Sequence, residues 1–227
     1  MTRSPLPQTA TALALAMFFA ACDDPPAVAP APQGPGDVLL RIDGIDITFG
    51  EVEPYLKFLD ETMPEGGRRT KVQKVLQEFV VPLRLAQRKF PEERRVMQER
   101  ARHLRSVATN VDELEQQGAQ LVIKSVQLTR GQADLPVVVF LFDPLTTRGV
   151  SEVLEVPRGF VVAAARDLHE TAAAVYDTVD AVMVGFFTQT PADWETWKHV
   201  AQEDVAHKAT YIHPDYREAM PTWLKLP

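Results

Sequence analysis

One cysteine, five histidines and a scatter of serines are the residues of this 227-residue chain best suited to covalent or acid–base chemistry. Cys22 directly follows the apolar segment Ala12-Leu-Ala-Leu-Ala-Met-Phe-Phe-Ala-Ala21, and a short polar stretch carrying Arg3 lies ahead of it. A charged start, an apolar middle and a small-residue exit form a secretory signal, too short to span a bilayer comfortably. In an exported chain a lone cysteine has no internal disulfide partner, so it is either a stray thiol or serves another purpose. His199 and His207 would share one helix face with Glu203 between them, and His213 follows. Zinc sites favour spacings of three to five and a converging third ligand, so no metal is expected there. Ser106, Ser125 and Ser151 lack the Gly-x-Ser-x-Gly context of a nucleophile elbow. With no phosphate loop or dinucleotide fingerprint either, hydrolase and nucleotide-enzyme chemistry find no support, and no cofactor is expected.

The totals narrow the classes further. The chain is 45% apolar and 24% charged, with a net charge of −7 and a mean hydropathy of −0.13. Such an acidic balance without a dense Lys/Arg block carries no electrostatic footprint for nucleic acid. Arg94, Arg95, Arg100, Arg102 and Arg105 form a basic run, but Glu92, Glu93 and Glu99 interleave with it, which predicts a solvated helix face with ion pairs. Trp194, Trp197, Trp223 and Tyr216 read as core aromatics, with a client cleft as the alternative.

Residues 23–36 are saturated with Pro and Gly and read as an extended tether. The folded part begins near Asp37. Val38 to Ile42 is a short apolar run, Asp43-Gly44 is a tight-turn signal, and Ile45-Asp-Ile47 completes a hairpin. Thr48 with Glu51 fits a capping box opening a helix to about Glu61, with Phe49, Val52, Tyr55, Leu56 and Leu59 on one face. A second helix runs over residues 69–89, where Pro82 predicts a kink or a rearranged turn. Pro91 suits the first position of a third helix, ending near Val107. Asn110 with Glu113 caps a short helix to Gly118, and residues 121–128 read as a strand. Val150, Val153 and Val156, a Pro157-Arg-Gly159 turn and the apolar run 160–165 make a second hairpin. Residues 175–187 read as strand or helix. Pro191-Ala-Asp-Trp194 starts a helix to about His207, with Trp197, Val200, Ala201 and Val205 inward.

Phe19-Ala20-Ala21-Cys22 resembles the lipobox of bacterial lipoproteins, with Phe at the first position in place of the usual Leu. The resemblance implies cleavage before Cys22, a thioether-linked diacylglycerol on that cysteine and often an N-linked acyl chain such as palmitate. Two or three acyl chains give durable anchoring where one gives marginal binding. The stretch Ile42-Asp-Gly-Ile-Asp-Ile-Thr48, followed by Gly50-Glu-Val52, resembles the N-terminal domain of SurA-like and PpiC-type periplasmic foldases over residues 38–107. Gly149-Val-Ser-Glu-Val-Leu-Glu-Val-Pro-Arg-Gly-Phe-Val-Val-Ala-Ala-Ala-Arg-Asp167 resembles the closing hairpin of a parvulin prolyl isomerase, with residues 135–145 as the short helix before it. Residues 102–168 are fewer than a full parvulin domain takes. Val161 replaces the family's closing-strand His, and His103 is the candidate for its first-strand His, although Ala101-Arg-His-Leu104 also reads as the end of helix three.

Together these features predict an α+β chain: a signal peptide over 1–21, the tether over 22–36, and a helical SurA-like domain over 37–109. A degenerate parvulin-like region follows over 110–170, and the segment 171–227 is expected to pack back on the N-terminal domain. The resemblances imply a membrane-anchored, periplasm-facing foldase of chaperone type that binds unfolded or extended exported polypeptides. The alternatives are an active parvulin-type peptidyl-prolyl isomerase, with His103 as its candidate catalytic residue, and an accessory envelope lipoprotein with one fixed partner.

Overall fold

The Asp43-Gly44 turn opens the fold. In the computed structural model, which describes residues 34–118, 122–146 and 149–226, both turn residues take positive φ, 50° and 77°. That is the two-residue turn whose twist matches a β-hairpin, and Asx-Gly is the pair that adopts it at least cost. It joins antiparallel strands β1 (Val38–Ile42) and β2 (Ile45–Thr48). The Asp43 carbonyl accepts from Arg88 at 2.8 Å, and its N–H donates to the Lys208 carbonyl at 3.0 Å. The signal segment, Cys22 and most of the tether lie outside the described residues.

Helix α1 (Phe49–Thr62) starts at the expected cap: the Thr48 N–H donates to Glu51 Oε2 at 2.9 Å. Phe49, Val52, Leu56 and Leu59 are buried, and Tyr55 is half-buried. The expected 69–89 helix is in three pieces, α2 (Arg68–Val75), a π-helical turn over Leu76–Val80, and α3 (Val81–Lys89). Pro82 has no N–H for the ladder and its ring crowds the preceding turn, so the chain widens just before it. Helix α4 (Pro91–Val107) begins at proline, whose missing N–H costs nothing in a first turn.

A second, four-stranded antiparallel sheet has the order β3–β6–β5–β4: β3 (Val122–Thr129), β6 (Thr178–Phe187), β5 (Gly159–His169), β4 (Leu154–Val156). The 175–187 stretch is therefore mostly strand, preceded by a 3₁₀ turn over Ala174–Tyr176. The β4–β5 hairpin does not close the sheet, because β6 pairs with β5 along its length. Both faces of β5 are covered. Phe160, Val162 and Ala164 pack with Val182, Val184 and Phe186 of β6 beneath Ala101 and Leu104 of α4, and Val111 and Leu114 of α5 (Val111–Gly118). Val161, Ala163 and Ala165 face the opposite way. They share the main core with Leu135, Val138 and Leu141 of α6 (Leu135–Leu141) and with the α1–α3 side chains. A strand buried on both faces needs a continuous apolar run, which is what residues 160–165 supply.

Helix α7 (Pro191–Val205) is capped by Thr190, whose hydroxyl accepts from the Asp193 N–H at 3.2 Å. Beyond it β7 (Ala209–Ile212) pairs antiparallel with β1, giving the first sheet the order β2–β1–β7. Tyr216 is fully buried, its ring meeting Phe49 edge-on at 5.0 Å and its hydroxyl accepting from Arg68 at 3.0 Å. The Met220 carbonyl accepts from Gln73 at 2.7 Å.

The molecule is an α+β fold built on two antiparallel sheets. Helix α4 packs on the second sheet, not with α1–α3 alone, and the 171–227 segment is divided: β6 builds the second sheet while the stretch from β7 onward returns to β1, α1 and α2. Residues 34–226 lie within one compact unit, because the face of β5 bearing Val161 and the helices after β2 share a single core.

Candidate functional site

A cleft of about 670 Å³ lies between α6, the β4–β5 hairpin tip and the end of β6. Its apolar wall is Val137 from α6, Val161 from β5, and Met183 and Phe187 from β6. Two glycines shape it. Gly159 follows the hairpin tip, and a Cβ there would sit 2.1 Å from the Phe186 carbonyl oxygen, so no other residue allows this approach. A Cβ on Gly185 would lie 2.2 Å from the Phe187 ring, so the bare backbone gives that ring its seat.

Arg158 stands at the hairpin tip. Its carbonyl accepts from both the N–H and the hydroxyl of Thr188, each at 3.1 Å, which fastens the tip to the strand end. Its guanidinium lies 3.7 Å from the centroid of the Phe187 ring, a cation–π stack. Burial against that ring lowers the Arg158 pKa, with Asp134 and Glu195 pulling the other way. Asp134, the residue before α6, faces the same cleft. Crowding by protein raises its carboxyl above the ordinary range, against the opposing pull of Arg158 and Lys198. Neither charged group makes a hydrogen bond or ion pair among the described residues. The Gln189 Oε1 is buried at the cleft without a hydrogen-bond partner among the described residues.

A neighbouring cleft of about 580 Å³, walled by Phe58, Leu59, Met63 and Phe79, shares Gln132, Ala133 and Asp134 with the first. Its other charged groups are satisfied internally. Lys74 pairs with Glu78 at 2.6 Å, and Arg130 bonds Glu61 at 3.0 Å and Asp177 at 2.8 Å while lying over the Phe58 and Phe142 rings. Burial alone would raise the Asp177 carboxyl, but hydrogen bonds from Thr171 and Arg130 outweigh it and hold it below the ordinary carboxylate range. Arg130 and Asp177 are structural ties. The Asp134 carboxylate, the Arg158 guanidinium and the Gln189 Oε1 of the first cleft have no such hydrogen-bonded use among the described residues, which makes it the candidate site.

His103 sits exposed on α4, lining neither cleft, so the first-strand placement is not found. Val161, standing where the resemblance calls for a histidine, forms part of the cleft wall. The remaining histidines do not converge: His169 pairs with Asp180 at 3.0 Å, His199 with Glu203 at 3.3 Å, His207 is exposed, and His213 packs edge-on to Phe49 at 5.5 Å. Among the described residues no group of three or more His, Cys, Asp or Glu is placed to hold a metal, and no helix is long and apolar enough to cross a membrane.

Within the basic run, Arg95 is exposed and bonds Glu92 and Glu99, as a solvated face requires. Arg94 departs from that expectation. It is only 4% exposed and donates to the Pro157 carbonyl at 2.7 Å, the Val156 carbonyl at 3.1 Å and the Glu155 carboxylate at 2.8 Å, holding the β4–β5 hairpin from behind. Trp194 and Tyr216 are buried, and Trp197 packs between Phe90 and Trp194 at 5.0 and 4.9 Å. Val200, expected inward, is 49% exposed.

Asp134, Arg158, Met183, Phe187 and Gln189 drew no attention as functional residues in the sequence. Arg158 was visible only as a turn residue, and no spacing rule links positions 134, 158 and 187. No protein-family model, curated protein or solved structure matches this chain.

Proposed function

We propose that the chain is a lipid-anchored, periplasm-facing foldase of chaperone type, holding extended segments of unfolded exported polypeptides in the cleft between α6 and β5–β6. The observation that carries this reading is the cleft itself: an apolar wall large enough for a bulky side chain, edged by the Asp134 carboxylate, the Arg158 guanidinium and the Gln189 Oε1, which have no hydrogen-bond partner among the described residues. A pocket of that composition fits recognition of a segment with one apolar side chain and a polar backbone. The lipobox resemblance at Cys22 and the foldase resemblances over residues 38–107 and 149–167 support the location and the client class.

Holding, not turnover, is the role proposed. Rotation about a peptide bond faces a barrier of about 18–20 kcal/mol, and lowering it needs groups poised around a gripped amide. The candidate His103 lines neither of the two clefts, and the Val161 side chain offers no proton or hydrogen bond.

The test is light scattering during dilution of a chemically unfolded exported protein into the full chain in mild detergent. Near-stoichiometric chain suppresses aggregation, and Met183→Glu, which places a charge on the cleft wall, abolishes suppression while far-UV circular dichroism stays unchanged. Absence of suppression by the wild type, or full suppression by a folded Met183→Glu variant, contradicts the reading.

A further inference from the structure

The cleft's unpaired groups define the chemistry of what it holds. Asp134 offers an exposed carboxylate and Gln189 a buried Oε1, two acceptors without a donor among the described residues. Arg158 offers a guanidinium without a hydrogen-bond acceptor among those residues, held in place by its stack on Phe187 at 3.7 Å and by the two Thr188 hydrogen bonds to its carbonyl. Between them lies the wall of Val137, Val161 and Met183. An unpaired guanidinium alone would suit any carboxylate with an apolar tail. The addition of two donor-seeking oxygens does not: an anion brought to Arg158 would meet the Asp134 charge in the same cleft. One common group presents a donor and an acceptor on the same unit beside an apolar side chain. It is a secondary peptide group, N–H and C=O, in an extended chain.

We infer that Asp134, Gln189 and Arg158 form a backbone clamp selecting apolar, non-prolyl segments, with the client's amide N–H toward Asp134 and Gln189 and its carbonyl toward Arg158. Proline lacks the N–H and leaves the buried Gln189 Oε1 without a donor, a loss that buried polar sites discriminate against strongly, while the exposed Asp134 carboxylate returns to water. The clamp thus reads the backbone for sequence tolerance and the wall for bulk. It rests on the client-holding reading and specifies the site's preference.

The experiment is fluorescence anisotropy of the full chain with labelled, end-capped, uncharged seven-residue peptides. The three peptides carry a central phenylalanine, a central N-methylphenylalanine or a central proline, and laurate serves as a competitor. The phenylalanine peptide binds at least tenfold more tightly than the other two. Asp134→Asn and Arg158→Met each weaken it at least fivefold and shrink its advantage over the N-methylated peptide. Equal or tighter binding of the proline or N-methylated peptide overturns the clamp, as does wild-type affinity in both variants. Displacement by laurate that is indifferent to Asp134→Asn overturns it in favour of a carboxylate-tailed apolar ligand. Gly131→Ala, at an exposed turn with open space around its Cα, serves as a folded control and leaves all affinities unchanged. Aggregation suppression by the wild type separates the two failures: if it persists while the peptides show no N–H preference, only the clamp falls.

Discussion

Two adjacent arginines show how little residue type says about energetic role. Arg94 is buried against three backbone or carboxylate acceptors of the β4–β5 hairpin, while Arg95 points into solvent toward Glu92 and Glu99. Removing Arg94 strands buried carbonyls whose desolvation has already been incurred, so Arg94→Met lowers unfolding stability by roughly 3 kcal/mol in urea titration. Arg95→Ala leaves the midpoint unchanged, because exposed pairs exchange protein partners for water at little loss. The sequence could not separate them, since the charged neighbours on either side hide the step of about 100° per residue that carries Arg94 inward and Arg95 outward. Asp177 carries a pH dependence of definite sign. Its folded pKa lies below the unfolded value, so its contribution is full above the ordinary carboxylate range and is lost as pH falls through the lowered value. Asp177→Asn is therefore less stable than wild type at pH 7, and the gap closes in thermal melts below about pH 4.

Elements were legible where their ends carried local chemistry. Asp43-Gly44, Thr48 with Glu51, Pro91 and Pro191 each mark a boundary through a turn, a cap or a first-turn proline, and the structure places elements at all of them. At Asn110 the cap is shared: the Glu113 N–H donates to Asn110 Oδ1 at 3.0 Å, while the Glu113 carboxylate reaches back to Thr109 at 2.8 Å. Legibility failed where burial on two faces erased the period. Residues 175–187 carry no alternation because β6 lies between β3 and β5 with core on both sides, so strand and helix look alike. The return of the tail, implied by the foldase resemblance, carries no local motif, because the pairing of β7 with β1 is long-range and β7 has only four residues. Tyr216 is the anchor of that return. Tyr216→Phe keeps the ring and loses the Arg68 bond, costing about 1 kcal/mol. Tyr216→Ala opens a cavity beneath Phe49 and costs about 3–5 kcal/mol, read from the shift in denaturant midpoint at constant slope.

At the scale of the whole molecule, the candidate site exists only after three distant pieces of chain meet: the residues before α6, the tip of the β4–β5 hairpin and the end of β6. Each piece is ordinary alone, which is why the α+β class could be read from the sequence and the cleft could not. The second sheet, clasped between α4–α5 and the main core, supplies the rigidity on which a binding cleft depends. The central claim is that this cleft holds unfolded exported chains outside the cytoplasm, and one measurement addresses it directly. Met183 is replaced in cells by photoreactive p-benzoylphenylalanine, and membrane fractions are irradiated and analysed by mass spectrometry. Crosslinks form to many exported polypeptides, at apolar stretches, and increase when their folding is impaired. A single stoichiometric partner in place of that spread, or crosslinks found only to cytoplasmic proteins, contradicts it.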